Sequence, residues 1–95
     1  MKVAAVKLDS IAAAAVDMAR AAAIDSGGEG AVGTHLGVSA EAERVVTHPF
    51  ACLLTGYPDW YWAVTLVRAS RARVATVNEV VLLPRAAALL APAGS

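Results

Sequence analysis

Cysteine is almost absent from this sequence: Cys52 stands alone in 95 residues, which excludes an internal disulfide and any multi-cysteine zinc site and agrees with a reducing interior. Charge is scarce and balanced, eight Lys or Arg against eight Asp or Glu, for a formal net charge of zero. A dedicated duplex-DNA binder carries a large cationic excess because phosphate neutralisation dominates its affinity, so this chain would have to concentrate its charge locally. Long apolar runs are missing too. Asp9, Asp17 and Arg20 interrupt the N-terminal MKVAAVKLDSIAAAAVDMAR before it reaches signal-peptide or membrane-spanning length, which reads as a soluble cytoplasmic protein with no membrane partner. There is no nucleophile elbow and no zinc-protease motif. SGGEG is rich in glycine but follows a helix rather than a strand, so a dinucleotide loop lacks its context. No catalytic residue, metal ligand or cofactor is assigned on these grounds, and an enzyme is the weakest class.

What is present is alanine. Of the 58% apolar residues, 23 are Ala, which buries little area, while Leu, Ile, Val and Phe fill 25 of the 95 positions, enough for a core. The length fits one domain, 1–95, close to the lower limit of self-supporting cores, leaving little surplus stability for a deep cleft. Residues 1–47 carry four basic and six acidic groups, residues 48–95 four and two. No internal repeat or long linker appears.

The spacing predicts one helix over 9–26, DSIAAAAVDMARAAAIDS, capped by Asp9 or Ser10 and stopped by Gly27 and Gly28. Ile11, Ala15, Met18 and Ala22 form one stripe, with Ala12, Val16, Ala19 and Ala23 beside it and Asp17 and Arg20 on the wet side. After SGGEG the period changes to two, and four strands are expected at about 32–40, 44–54, 60–69 and 74–83. Their short links require antiparallel neighbours. The fold class that follows is α+β, an Ala-rich N-terminal helix on a four-stranded antiparallel meander, with RAAALLA adding a short C-terminal helical turn.

On the third strand Trp60, Trp62, Val64 and Leu66 alternate with Tyr61, Ala63, Thr65 and Val67, and the larger, wholly apolar set is expected to meet the helix. Tyr57 and Tyr61 belong nearer the sheet rim. Arg68, Arg71 and Arg73 follow around a hairpin turn, where they read either as a solvated edge that discourages sheet-to-sheet pairing or, with Tyr57 and Tyr61, as a stacking-plus-charge surface for single-stranded nucleic acid. His48 and Cys52, four apart on a strand, stand about 13 Å apart, too far to share a metal. His35 can face His48 across the hairpin near Ala42, with Glu41 and Glu43 close by, which reads either as a two-histidine site with carboxylates, the form an enzyme would require, or as ordinary surface or boundary histidines.

The stretches VDMARAAAIDSGGEGAVGTHLGV, ERVVTHPFACLLTGYPDWYWAVTLVRASRAR and VNEVVLLPRAAALLAP resemble the N-terminal part of an actinobacterial family, the "domain of unknown function 3027" proteins. The resemblance covers nearly the whole chain. It implies an actinobacterial or actinophage origin, supplies no catalytic residues, and implies longer relatives that continue past LLAP into a Trp- and Pro-containing segment, so that this chain reads as a truncated or phage-borne form.

The function expected from all this is a small non-enzymatic protein-interaction module, self-associating as a homo-oligomer or binding a protein partner. Both faces of the last strand are apolar at Val80, Val81, Leu82 and Leu83, and one of them must be covered, either by the terminal RAAALLA or by a partner. The alternative is single-stranded nucleic-acid binding through the aromatic and Arg hairpin, residues 57–73.

Overall fold

The computed structural model describes residues 6–85. Its first helix starts where a cap is available: Asp9 has extended backbone, and its carboxylate accepts the Ala12 N–H at 2.9 Å. That bond satisfies one of the amides a helix start leaves without an intrahelical partner. Two helices follow in place of the single predicted one, α1 (Ser10–Ala14) and α2 (Val16–Gly27). The backbone departs from helical values at Ala15, φ −82° and ψ 50°. Propensity does not explain the break, since residues 12–15 are all Ala, the best helix former. A tertiary bond does. The Ala12 carbonyl takes the Ala15 N–H at 3.3 Å and also faces His48 Nε2 at 2.8 Å, so the helix is tied to the sheet at its weakest turn. Downstream, α2 stops as expected: Gly28 has φ 98°, and its N–H closes on the Ile24 carbonyl at 2.6 Å.

The sheet contains β1 (Val32–His35), β2 (Ser39–Ala42), β3 (Val45–Cys52), β4 (Trp60–Val67) and β5 (Thr76–Pro84), all pairings antiparallel. β3, β4 and β5 form the anticipated meander, and β1 and β2 share the outer edge of β3. Those two are the predicted first strand, interrupted at Gly37, whose φ of 126° suits a residue without a side chain. The α+β architecture and its antiparallel meander therefore stand, with the first strand split in two. The C-terminal RAAALLA turn falls at 85–91, and all of it beyond Arg85 lies outside the described residues.

Both helices lie on one face of the sheet. Val46, His48 and Phe50 of β3 and Trp62, Val64 and Leu66 of β4 alternate inward, and all six are buried against Ala12, Ala19 and Ala23. The buried stripe of the helices is thus the small one. Ile11 and Met18, placed on the core side by periodicity alone, remain 38% and 36% exposed. The reason is separation: the aromatic side chains of the sheet fill the interlayer space and leave room only for methyl groups. Trp62 dominates that space, its indole N–H donating to the Ala31 carbonyl at 3.0 Å. Trp60 behaves differently from its neighbour. It is only half-buried and meets Tyr57 edge-on at 5.1 Å between ring centroids.

Candidate functional site

The second face of the sheet carries no helix among the described residues. Register sets its composition: Ala51, Tyr61 and Leu83 form one cross-strand row, Pro49, Ala63 and Val81 the next, and Thr47, Thr65 and Glu79 a third. The result is an apolar half shading into a polar half. A shallow groove of about 380 Å³ runs along it between Glu41, Thr47, Tyr61, Ala63, Thr65, Glu79, Val81 and Leu83. Thr47 and Thr65 face each other across the strands at 3.3 Å between hydroxyls. Leu83 is 38% exposed, a large value for a leucine in a nine-residue strand. The described elements stand two layers deep, helices on sheet, and the thinnest dimension is 17 Å.

The five predicted binding residues do not gather in one place. Tyr61 lies on this open face, while Tyr57 sits in the β3–β4 turn, on the order of 25 Å from the β4–β5 turn at the usual strand rise. That second turn holds Arg71, whose φ is 69°, and Arg73, both exposed. Arg68 is engaged elsewhere. Its guanidinium grips the Asp9 carboxylate through Nε at 3.0 and 2.9 Å and through one terminal nitrogen at 2.6 Å, and donates with the other to the Ala72 carbonyl at 2.9 Å. This forked pair staples the start of α1 to the end of β4. The Arg68 hydrogen bonds, helped by the Ala12 amide, hold the Asp9 carboxyl down at about 2.

The histidines do meet. His35 Nε2 and His48 Nδ1 are 2.9 Å apart, and His48 is fully buried, contrary to the expectation of an ordinary surface or boundary residue. The signal for that burial was in the alternation Val46, His48, Phe50, which places His48 on the apolar side of β3. The glutamates stay away: Glu41 accepts from the Ser39 hydroxyl at 2.9 Å and lines the open-face groove, and Glu43 pairs with Arg44 at 3.4 Å. Burial, then the neighbouring His48 and Arg20, make His35 less basic than an ordinary histidine. Among the described residues no three His, Cys, Asp or Glu side chains converge as metal ligands, and no helix is long and apolar enough to cross a membrane.

Against known proteins, residues 33–94 match the family described as "Protein of unknown function (DUF3027)", and the chain belongs to that family. The match starts within β1 and takes in the whole remaining sheet. The chain is 51% identical over 65 residues to the uncharacterized protein Rv0877 of Mycobacterium tuberculosis strain H37Rv and, at the same identity, to the uncharacterized protein Mb0901 of Mycobacterium bovis. Each alignment covers 68% of this chain and 25% of the relative, so the chain spans about a quarter of the length of the curated relatives it matches. The actinobacterial resemblance carried by the GYPDWYWAVT and EVVLLP segments is therefore borne out. No solved structure matches.

Proposed function

We propose, for this member of the family, that the chain works as a protein-interaction module whose working surface is the open face of the sheet, and that the partner it takes is a second copy of itself. The observation that carries this reading is the row structure of that face. Half-buried Ala51 and Tyr61 and exposed Leu83 stand beside half-buried Pro49 and Val81, with Ala63 buried among them, and together they make a contiguous apolar area on a layer that the described helices leave uncovered. Four strand positions about 4.8 Å apart and about eight residues long, β1 and β2 sharing the outer one, present on the order of 500 Å² in projection, and more with side-chain relief. That is comparable with the roughly 800 Å² per partner of a standard interface. A zero net charge removes long-range repulsion between copies. Two sheets packed face to face about a two-fold axis through the Ala63 and Val81 row would close into a sandwich with Glu41 and Glu79 of each copy at the wet rim.

Sedimentation equilibrium of the purified protein tests this directly, run beside a Val81→Lys, Leu83→Lys variant checked for folding by near-ultraviolet circular dichroism. A concentration-dependent dimer that the variant loses is the expected outcome. A strictly monomeric species at high concentration overturns it. Binding of a single-stranded oligonucleotide that weakens with salt and with removal of Arg71 and Arg73, by a monomer, would transfer the function to the alternative surface.

A further inference from the structure

The histidine pair plays no part in the sheet-face reading, and its hydrogen bonds can be assigned direction by direction. A carbonyl oxygen only accepts, so the 2.8 Å contact from His48 Nε2 to the Ala12 oxygen requires the proton on Nε2. In a neutral His48 this leaves Nδ1 bare, and His35 must therefore donate its Nε2–H across the 2.9 Å gap. His35 Nδ1 is then the one basic nitrogen of the pair not used in these bonds. A first proton taken there leaves both hydrogen bonds standing. A second proton has to go onto His48 Nδ1, where it meets the His35 Nε2–H head-on and the bond between the rings is lost.

The surroundings offer no compensation for such charge. From α2, Arg20 reaches over the Phe50 ring at 4.9 Å and donates to the Gly33 carbonyl at 2.8 Å, adding a cation beside His35. α1 contributes the Ala12 carbonyl, β4 brings Val64 opposite His48, and the Phe50 ring of β3 lies 5.1 Å from His35. Among the described residues no carboxylate pairs or hydrogen-bonds with Arg20, His35 or His48.

We propose that His35 and His48 form a two-stage acid latch joining the β1 edge, the β3 core and the break between α1 and α2: the pair accepts one proton with the fold intact, and the second opens it. The sign follows from the bonding. The unfolded chain takes both protons freely while the folded one must give up the bond between the rings to hold the second, so acid drains stability from the folded state. The elements loosened are α1 and β1, which this chain of bonds ties to β3 beside the Asp9–Arg68 fork and the β1–β3 ladder, and the buried face of Val46 and Phe50 is what their release exposes.

The test is nitrogen-15 NMR of both imidazoles from about pH 8 down to about pH 5, together with hydrogen exchange of the α1, β1 and β4 amides corrected for intrinsic rates. Expected are a His48 held as its Nε2–H tautomer until opening, a His35 that titrates first, and α1 and β1 amides that lose protection together while β4 stays protected. A His48 that carries its proton on Nδ1 while the fold is intact overturns the latch. A His35→Gln variant supplies the second check. It should flatten the loss of stability over this range; a slope equal to that of the parent protein overturns the proposal, whatever the oligomeric state turns out to be.

Discussion

Gly27→Ala should destabilise this protein although Ala is the better helix former. By propensity alone the change would gain up to about 1 kcal/mol in a helix interior, and less at the final position of α2. The tertiary structure reverses the sign. A Cβ at Gly27 would fall on the six-membered ring of Trp62, colliding with Cζ2, 2.8 Å from Cη2 and 3.1 Å from the Ala31 Cβ. The indole is a rigid plate and cannot yield at its far edge. Overpacking of this kind costs roughly 1–3 kcal/mol, and pushing the ring off the Ala31 carbonyl leaves a buried N–H unmet at a further ~1–3 kcal/mol. Partial relaxation brings the net loss to about 2 kcal/mol, or on the order of 10 °C in Tm for a domain of this size. Urea and thermal unfolding followed by tryptophan emission read it out. In a Trp62→Phe background the offending atoms are gone, and Gly27→Ala should become neutral or favourable, a coupling of about 2 kcal/mol or more. Equal stability of Gly27→Ala and the parent, or simple additivity in the double variant, would refute the argument.

Two more expectations concern the staple and the core. With the Asp9 carboxyl at about 2 in the folded protein against an ordinary 3.8, its contribution is complete above the ordinary value and fades as pH falls toward the folded one. Asp9→Asn should therefore flatten the acid limb of a pH–stability curve below about pH 4, and an unchanged limb would show that the Arg68 fork does not hold in solution. Leu66→Ala, at a site with no exposure, should cost roughly 2–5 kcal/mol by denaturant unfolding; a loss under about 1 kcal/mol would place the core elsewhere.

Much of the architecture follows from local chemistry. Asp9 as cap, Gly27 and Gly28 as stop and the change of period after SGGEG all mark elements near their observed bounds, because caps, glycines and alternation act within a few residues. The motif run GYPDWYWAVT to EVVLLP also carried the family. The candidate surface was half legible: the two-sided apolarity of Val80 to Leu83 announced a face in need of cover, but its partners Ala51, Tyr61 and Ala63 could be matched to it only through register.

What the sequence determined by itself is therefore the helical and strand regions, their antiparallel order and the neutral, small-residue character of the helical layer, since each depends on neighbours in the chain. The tertiary structure decided the rest. It chose the Ala stripe over Ile11 and Met18 because bulky rings from β3 and β4 already occupied the space, and it drew Arg68 onto Asp9 across 59 positions. It also broke a run of four alanines at Ala15, beside the Ala12 carbonyl that a buried histidine 36 residues further along takes as its acceptor; alternation marks His48 as inward-facing, but which backbone carbonyl meets it is set by how the layers pack.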